Sequence, residues 1–271
     1  MQTDLTNDNL SVHKIYTILL LAMLICIGCE WHLRPTEKDG KRALAVQRYD
    51  RIEALYLTTG DLAALHQMNT DFPEQTRTLI EDLLHLGHVN DSGINTRFLH
   101  FFQDTTLQTL IADVDKQYAD MSDIDQQLTD AFHQLQTLIP GIGMPQFYAQ
   151  ISSLDQSIIV GDSMLGISLD KYLGKDYPVY IRYGFTERQR TSMTRSFIVP
   201  DCLVFYLLSN YPLSPSADTI AEARNRHMGR IQYVANTCLG YRHFEGEQVC
   251  QTEAFMKEHP QATPHFLLNE E

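Results

Sequence analysis

Basic clusters are missing from this sequence. Its 21 Lys and Arg never stand more than two in a row, against 34 Asp and Glu, and the formal charge at pH 7 is −13. A nucleic-acid surface needs a basic patch or stripe, so DNA and RNA are excluded as main partners. Cysteine is scarce as well, with five residues and no Cys-x-x-Cys, which removes zinc-ribbon and thioredoxin-type chemistry. None of the eleven His has another four residues away, so no helix points two imidazoles at one ion in the manner of a zinc peptidase. There is no internal repeat and no low-complexity segment, which excludes solenoid and fibrous architectures. What remains is 271 residues, 44% hydrophobic, enough for one large globular domain or two small ones.

The one long apolar run lies near the N-terminus. Ile15 to Gly28, IYTILLLAMLICIG, is uncharged, and at ~1.5 Å per residue it spans roughly 21 Å as a helix, short of the ~30 Å hydrocarbon core. It suits a signal-peptide core better than a membrane anchor. Gly28-Cys29-Glu30 follows at once, a small residue before Cys, as in the lipobox of bacterial lipoproteins, although Cys26 stands where Leu is usual and Lys14 is the only cation before the run. Cleavage before Cys29 and diacylation of its thiol are expected; a plain secretory signal or a short uncleaved anchor is the alternative. The expected organisation is a signal peptide over 1–28, a lipidated Cys29 with a polar tether over 29–43, and a single globular domain over 44–271. Lys41, Arg42 and Arg48 are too few for a polybasic membrane patch, so lipid would supply the anchoring. The cysteines left over, Cys202, Cys238 and Cys250, allow at most one disulfide.

The first half of the domain has helical periodicity. Asp61 opens a short run to Met68, and Asp71-Phe72-Pro73 opens another carrying Leu79, Ile80, Leu83 and Leu84, ended by Gly87. Asp104 caps a helix bearing Leu107, Leu110, Ile111 and Val114. Ser122 caps the next, with Asp125 at the capping-box position. At Pro140-Gly141-Ile142-Gly143 the period changes. Phe147–Ile151 and Ile158–Val160 are β-rich and separated by a turn, which predicts a hairpin. Asp162 and Ser163 are expected to cap a short helix through Leu165, Ile167, Leu169 and Tyr172, and Asp201–Leu208 and Ala217–Cys238 are helical again. The predicted fold is α+β, predominantly helical, with a small antiparallel sheet in mid-chain.

IIVGDSML, around Ser163, is similar to the first block of the GDSL or SGNH hydrolases. A serine nucleophile needs an oriented His base and an oxyanion hole. The only His-Pro is His259-Pro260, with Met256 where that family has Asp, and the Gly-x-Asn-Asp block is absent. A second resemblance covers far more of the chain. Arg48-Tyr49-Asp50, Pro145-Gln146-Phe147-Tyr148, Asp162, the segment LDKYLGKDYPVY from Leu169, Val199-Pro200-Asp201 and Met228-Gly229-Arg230-Ile231-Gln232-Tyr233 resemble the gliding-motility-associated lipoprotein GldB family of Bacteroidota, from about Arg48 to Gly240. The resemblance implies an envelope lipoprotein of motility or secretion machinery with no established catalytic activity, facing the periplasm or the outer membrane. It implies partners among envelope proteins and the bilayer, with no cofactor. It also suggests a distant link in fold to gluzincin-type zinc peptidases, here in degenerate form.

Candidate binding residues are Asp162, Asp170, Tyr180, Arg182 and His227, besides lipidation at Cys29; no catalytic or metal-ligating residue is assigned. Tyr177, Tyr180, Tyr183 and Phe185 around Arg182 suit a protein or peptide groove or, equally, core packing. His227 sits on the apolar side of a long helix beside Ile231 and Val234, and Glu81, His85 and His88 share a helix end. A hydrolase, either an atypical metallopeptidase or a serine esterase at Ser163, is the alternative to a non-catalytic envelope component.

Overall fold

A computed structural model describes residues 43–214 and 220–269. The signal segment, Cys29 and the tether up to residue 42 lie outside the described residues. A two-residue strand, β1 (Val46–Gln47), leads into α1 (Tyr49–Thr59) and α2 (Leu62–Asp71). Next come α3 (Pro73–Arg77), continued by a π-helical turn over Thr78–Leu83, then α4 (Ile94–Phe101), α5 (Thr105–Gln117) and α6 (Ser122–Leu138). Their starts follow local chemistry. Asp61 accepts the N–H groups of Ala63 and Ala64, and Asp104 those of Thr106 and Leu107, satisfying donors that a helix start leaves open. At α6 the expected capping box does not form. Asp120 accepts the Ser122 N–H, while Asp125 reaches out to the Val46 N–H at 2.9 Å.

The sheet contains β1, β2 (Gln146–Gln150), β3 (Ile158–Val160) and β4 (Met164–Ser168) in the order β1-β2-β4-β3. β1 and β4 run parallel to β2, and β3 runs antiparallel to β4, so the sheet is mixed where an antiparallel one was expected. The predicted hairpin between residues 147–151 and 158–160 is replaced by β3 turning back onto β4 through Gly161–Ser163. The reason lies in Met164–Ser168, which forms a strand and not the helix expected from an Asp162-Ser163 cap. Leu165 and Ile167 alternate into the core, and Gly166 leaves room for the Tyr148 ring of its partner strand; an added Cβ there would meet that ring at 2.5 Å. The predominantly helical α+β class holds.

After β4 the chain makes a 3-10 turn (Leu169–Lys171), two short helices, α7 (Pro178–Arg182) and α8 (Glu187–Arg190), and then α9 (Ile198–Asn210), α10 (Ala221–Leu239), α11 (Glu247–Glu258) and α12 (Pro264–Asn269). α1 packs on β2 and α9 on β3 and β4. α6 and α10 back α9, and α11 and α12 cover α10. Tyr49, Phe98, Phe132, Phe147 and Leu203 are among the side chains buried in the shared core. Arg195 ties the turn before α9 to the end of α5 and the start of α6, through Asp123 and the carbonyls of Gln117 and Asp120.

Candidate functional site

The segment LDKYLGKDYPVY is fixed by internal hydrogen bonds. The fully buried Asp170 carboxylate accepts the N–H groups of Ser152 at 3.0 Å and Leu154 at 2.6 Å, holding a β2–β3 connection in which Ser153 and Leu154 have positive φ. Burial raises the pKa of Asp170, and those two N–H groups oppose the rise. Tyr180, also fully buried, donates to the Asp170 carbonyl at 2.6 Å and accepts the Leu173 N–H at 2.9 Å. Tyr118 donates to the Tyr172 carbonyl and Tyr177 to the Asp113 carboxylate. With the backbone pinned in this way, the side chains of Lys171 and Tyr172 form one wall of a cleft.

The opposite wall is Asp201, the only charged residue of α9. Ser157, Gln189 and Ser192 complete the polar rim, Phe185 and Met193 supply the apolar surface, and the cavity has a volume of about 200 Å³. The Tyr172 hydroxyl donates to Asp201 Oδ2 at 2.8 Å. Asp201 lies in the first turn of α9, where the helix dipole favours the ionised carboxylate. Burial outweighs this and pushes its pKa up to about 7, opposed by the Tyr172 hydrogen bond. Lys171 shares the cleft without pairing with Asp201. Its ammonium donates to the carbonyls of Leu154 at 3.1 Å and Asp155 at 3.3 Å and lies 4.6 Å from the Phe185 ring centroid. Burial lowers the pKa of Lys171, and the charges of Asp170 and Asp155 raise it. A carboxyl poised near neutrality in a walled cleft is the strongest candidate for a binding group.

Of the sequence-derived candidates, Asp170 and Tyr180 are joined beneath this cleft. Asp162 is exposed in the β3–β4 turn, Arg182 is exposed at the end of α7, and His227 is buried in α10 with Nε2 lacking a protein partner. Tyr183 is exposed, whereas Tyr177 is partly buried and bonded to Asp113, so the aromatic set does not line one open groove. Ser163 stands exposed in the same turn as Asp162. Glu81 accepts the Val89 N–H and pairs with His88 at 3.3 Å, while His85 meets the Glu81 carbonyl. Among the described residues no group of three or more His, Cys, Asp or Glu is placed to hold a metal ion. Cys202, Cys238 and Cys250 form no disulfide with one another. Sequence reasoning named Asp201 only in the family-like Val199-Pro200-Asp201 and at the start of a helix, not as a site, although a lone acid in the apolar run IVPDCLVFYLL was the available signal.

A larger groove, of about 510 Å³, runs beside α10 and α11 past Tyr233, Tyr241 and Met256. Its charges are already paired, Glu253 with both Arg242 and Lys257. No described helix is long and apolar enough to cross a membrane. No curated protein and no solved structure matches the chain. The family model described as gliding motility protein GldB does match, over residues 32–245, a span that takes in the sheet, the pinned segment and both walls of the Asp201 cleft. The chain therefore belongs to the GldB family of gliding-motility proteins.

Proposed function

We propose that this protein is a lipoprotein held to an envelope membrane through a diacylglycerol on Cys29, facing the periplasm or the outer membrane. Its domain over 44–271 acts as a non-catalytic binding component of gliding-motility or secretion-type machinery. Family membership fits an envelope component of gliding motility. The observation that carries the binding role is the use made of the polar side chains in LDKYLGKDYPVY. Asp170, Tyr172, Tyr177 and Tyr180 are engaged in hydrogen bonds inside the domain and fix the segment whose Lys171 and Tyr172 line a cleft. Within that cleft, Asp201 and Lys171 each hold partners other than the other, Asp201 accepting the Tyr172 hydroxyl and Lys171 donating to the carbonyls of Leu154 and Asp155.

The test is cross-linking of the full-length protein in its native membranes, followed by affinity purification and mass spectrometry, with Cys29→Ala as control. Specific envelope proteins are expected with the native chain and are lost with the variant. Recovery of bulk membrane protein alone, with lipidation confirmed, would remove the scaffold role. Stoichiometric zinc in the purified protein, or fluorophosphonate labelling of Ser163, would replace it with a hydrolase.

A further inference from the structure

We propose that the Asp201 cleft is a carboxylate-binding site that receives a carboxylate carried by a partner polypeptide. The inference names the chemistry of the partner in the binding role above and rests on that role. The cleft is rich in hydrogen-bond donors. Lys171 has three N–H groups, of which the carbonyls of Leu154 and Asp155 take two, leaving one, on an ammonium that also feels the carboxyls of Asp170 and Asp155. Gln189 uses its amide oxygen in the capping box at Thr186, accepting the Thr186 N–H at 2.9 Å, so its NH2 group is the part left for a ligand. Asp201 accepts the Tyr172 hydroxyl on Oδ2. When Asp201 is protonated, its acid O–H is a third donor.

The charges around Asp201 agree with an anionic guest. Among the described residues Tyr172 alone bonds to it and Lys171 is the one cation lining the cleft, while the Cys202 thiol next to it on α9 is held protonated by burial. The helices α6 and α10 pack on α9, and none of their titratable side chains, Asp123, Asp125, Asp130 and His133 on α6 or Glu222, Arg224, Arg226, His227, Arg230, Tyr233 and Cys238 on α10, lines the cleft. A cationic guest would have to share the cleft with Lys171, whereas a carboxylate takes the ammonium's remaining N–H and the acid proton of Asp201. At about 200 Å³ the cavity admits one side chain or a chain terminus; small-molecule pockets usually run ~300–1,000 Å³.

The probe is tetramethylrhodamine-labelled Ala-Ala with a free C-terminal carboxylate, titrated by fluorescence anisotropy against the full-length protein in detergent micelles. Its C-terminal amide and labelled lysinamide serve as comparisons. The carboxylate is expected to bind at least tenfold tighter than the amide. Because the protonated form of Asp201 is the binding form, affinity should rise about tenfold from pH 8 to pH 6, following a group that titrates near 7. Asp201→Asn keeps a donor without a titration, so it should bind at pH 8 as the native protein does at pH 6, with no pH dependence. Lys171→Gln should lose at least tenfold and Lys171→Arg should restore most of the loss; a thermal melt of each variant separates lost binding from lost fold. Equal binding of the amide, preference for lysinamide, or affinity that rises with pH would overturn the site. Competition by acetate as strong as by the peptide would overturn the polypeptide source. Failed cross-linking with intact carboxylate binding removes the scaffold role alone, and the reverse pattern removes the site alone.

Discussion

Asp170 holds two N–H groups of a turn whose Ser153 and Leu154 adopt left-handed backbone. Replacing it with Ala strands both donors and releases the strained turn. The expected cost is about 3 kcal/mol, read by urea denaturation, with Asp170→Asn losing less. Glu53 on α1 is fully buried, and one of its oxygens accepts the Ile151 N–H at 3.0 Å. Burial holds its pKa well above the usual carboxylate range. Glu53→Gln keeps that acceptor and should be neutral near pH 5 and stabilising near pH 8. Asp201 acts in the same direction. Its folded pKa of about 7 lies above the unfolded value, so the stability it contributes is complete below ~4 and is lost as pH rises through 7. The native protein should lose on the order of 2–3 kcal/mol between pH 5 and pH 8 through this group, and Asp201→Asn should flatten that part of the profile. Melts at the two pH values check it. A steeper fall in the variant would contradict the assignment of the titration to Asp201.

Two glycines set how closely elements approach. Gly166 on β4 lies opposite Tyr148 on β2, whose ring fills the space of a Cβ, and Gly229 on α10 meets Gln248 of α11, with side-chain and backbone atoms at 2.5 to 2.8 Å from an added Cβ. Gly229→Ala would push rigid backbone apart and should destabilise by about 2 kcal/mol, with hydrogen exchange rising first in α11. Gly166→Ala presses on one side chain, so Tyr148→Leu should rescue it in part. The helices were legible in the sequence because their apolar stripes and Asp caps, Asp61 and Asp104 above all, act within a few residues. The strand pairing was not. Leu165-Gly166-Ile167 is a short apolar run that strand and helix both accommodate, and its outcome depends on Tyr148, which comes from another strand. Asp170 drew notice as an acid in a family-like segment, but its burial under Ser152 and Leu154 depends on that same sheet topology. The cleft was hidden for the same reason, since Lys171, Gln189 and Asp201 meet only once β4, α8 and α9 are in place.

The family match ends at residue 245, so α11 and α12 lie beyond it, although both pack on α10. The helices behind α9 are thus covered partly by chain that the family model does not describe. At the other end the first described residues are clamped to α6. The Leu44 N–H donates to Thr129 Oγ1 and the Val46 N–H to Asp125 Oδ1, both at 2.9 Å and both on α6, while β1 adds its two residues to the sheet edge beside β2. Asp125→Ala should free residues 44–47, seen as faster amide exchange there with little change on β4. In mechanical terms, a pull through the segment before Leu44 would not reach β2 by the sheet alone. It would be delivered in parallel to the long helix α6, which packs on α9 and α10, so that such a pull is carried by the helical half of the molecule before the strands begin to part.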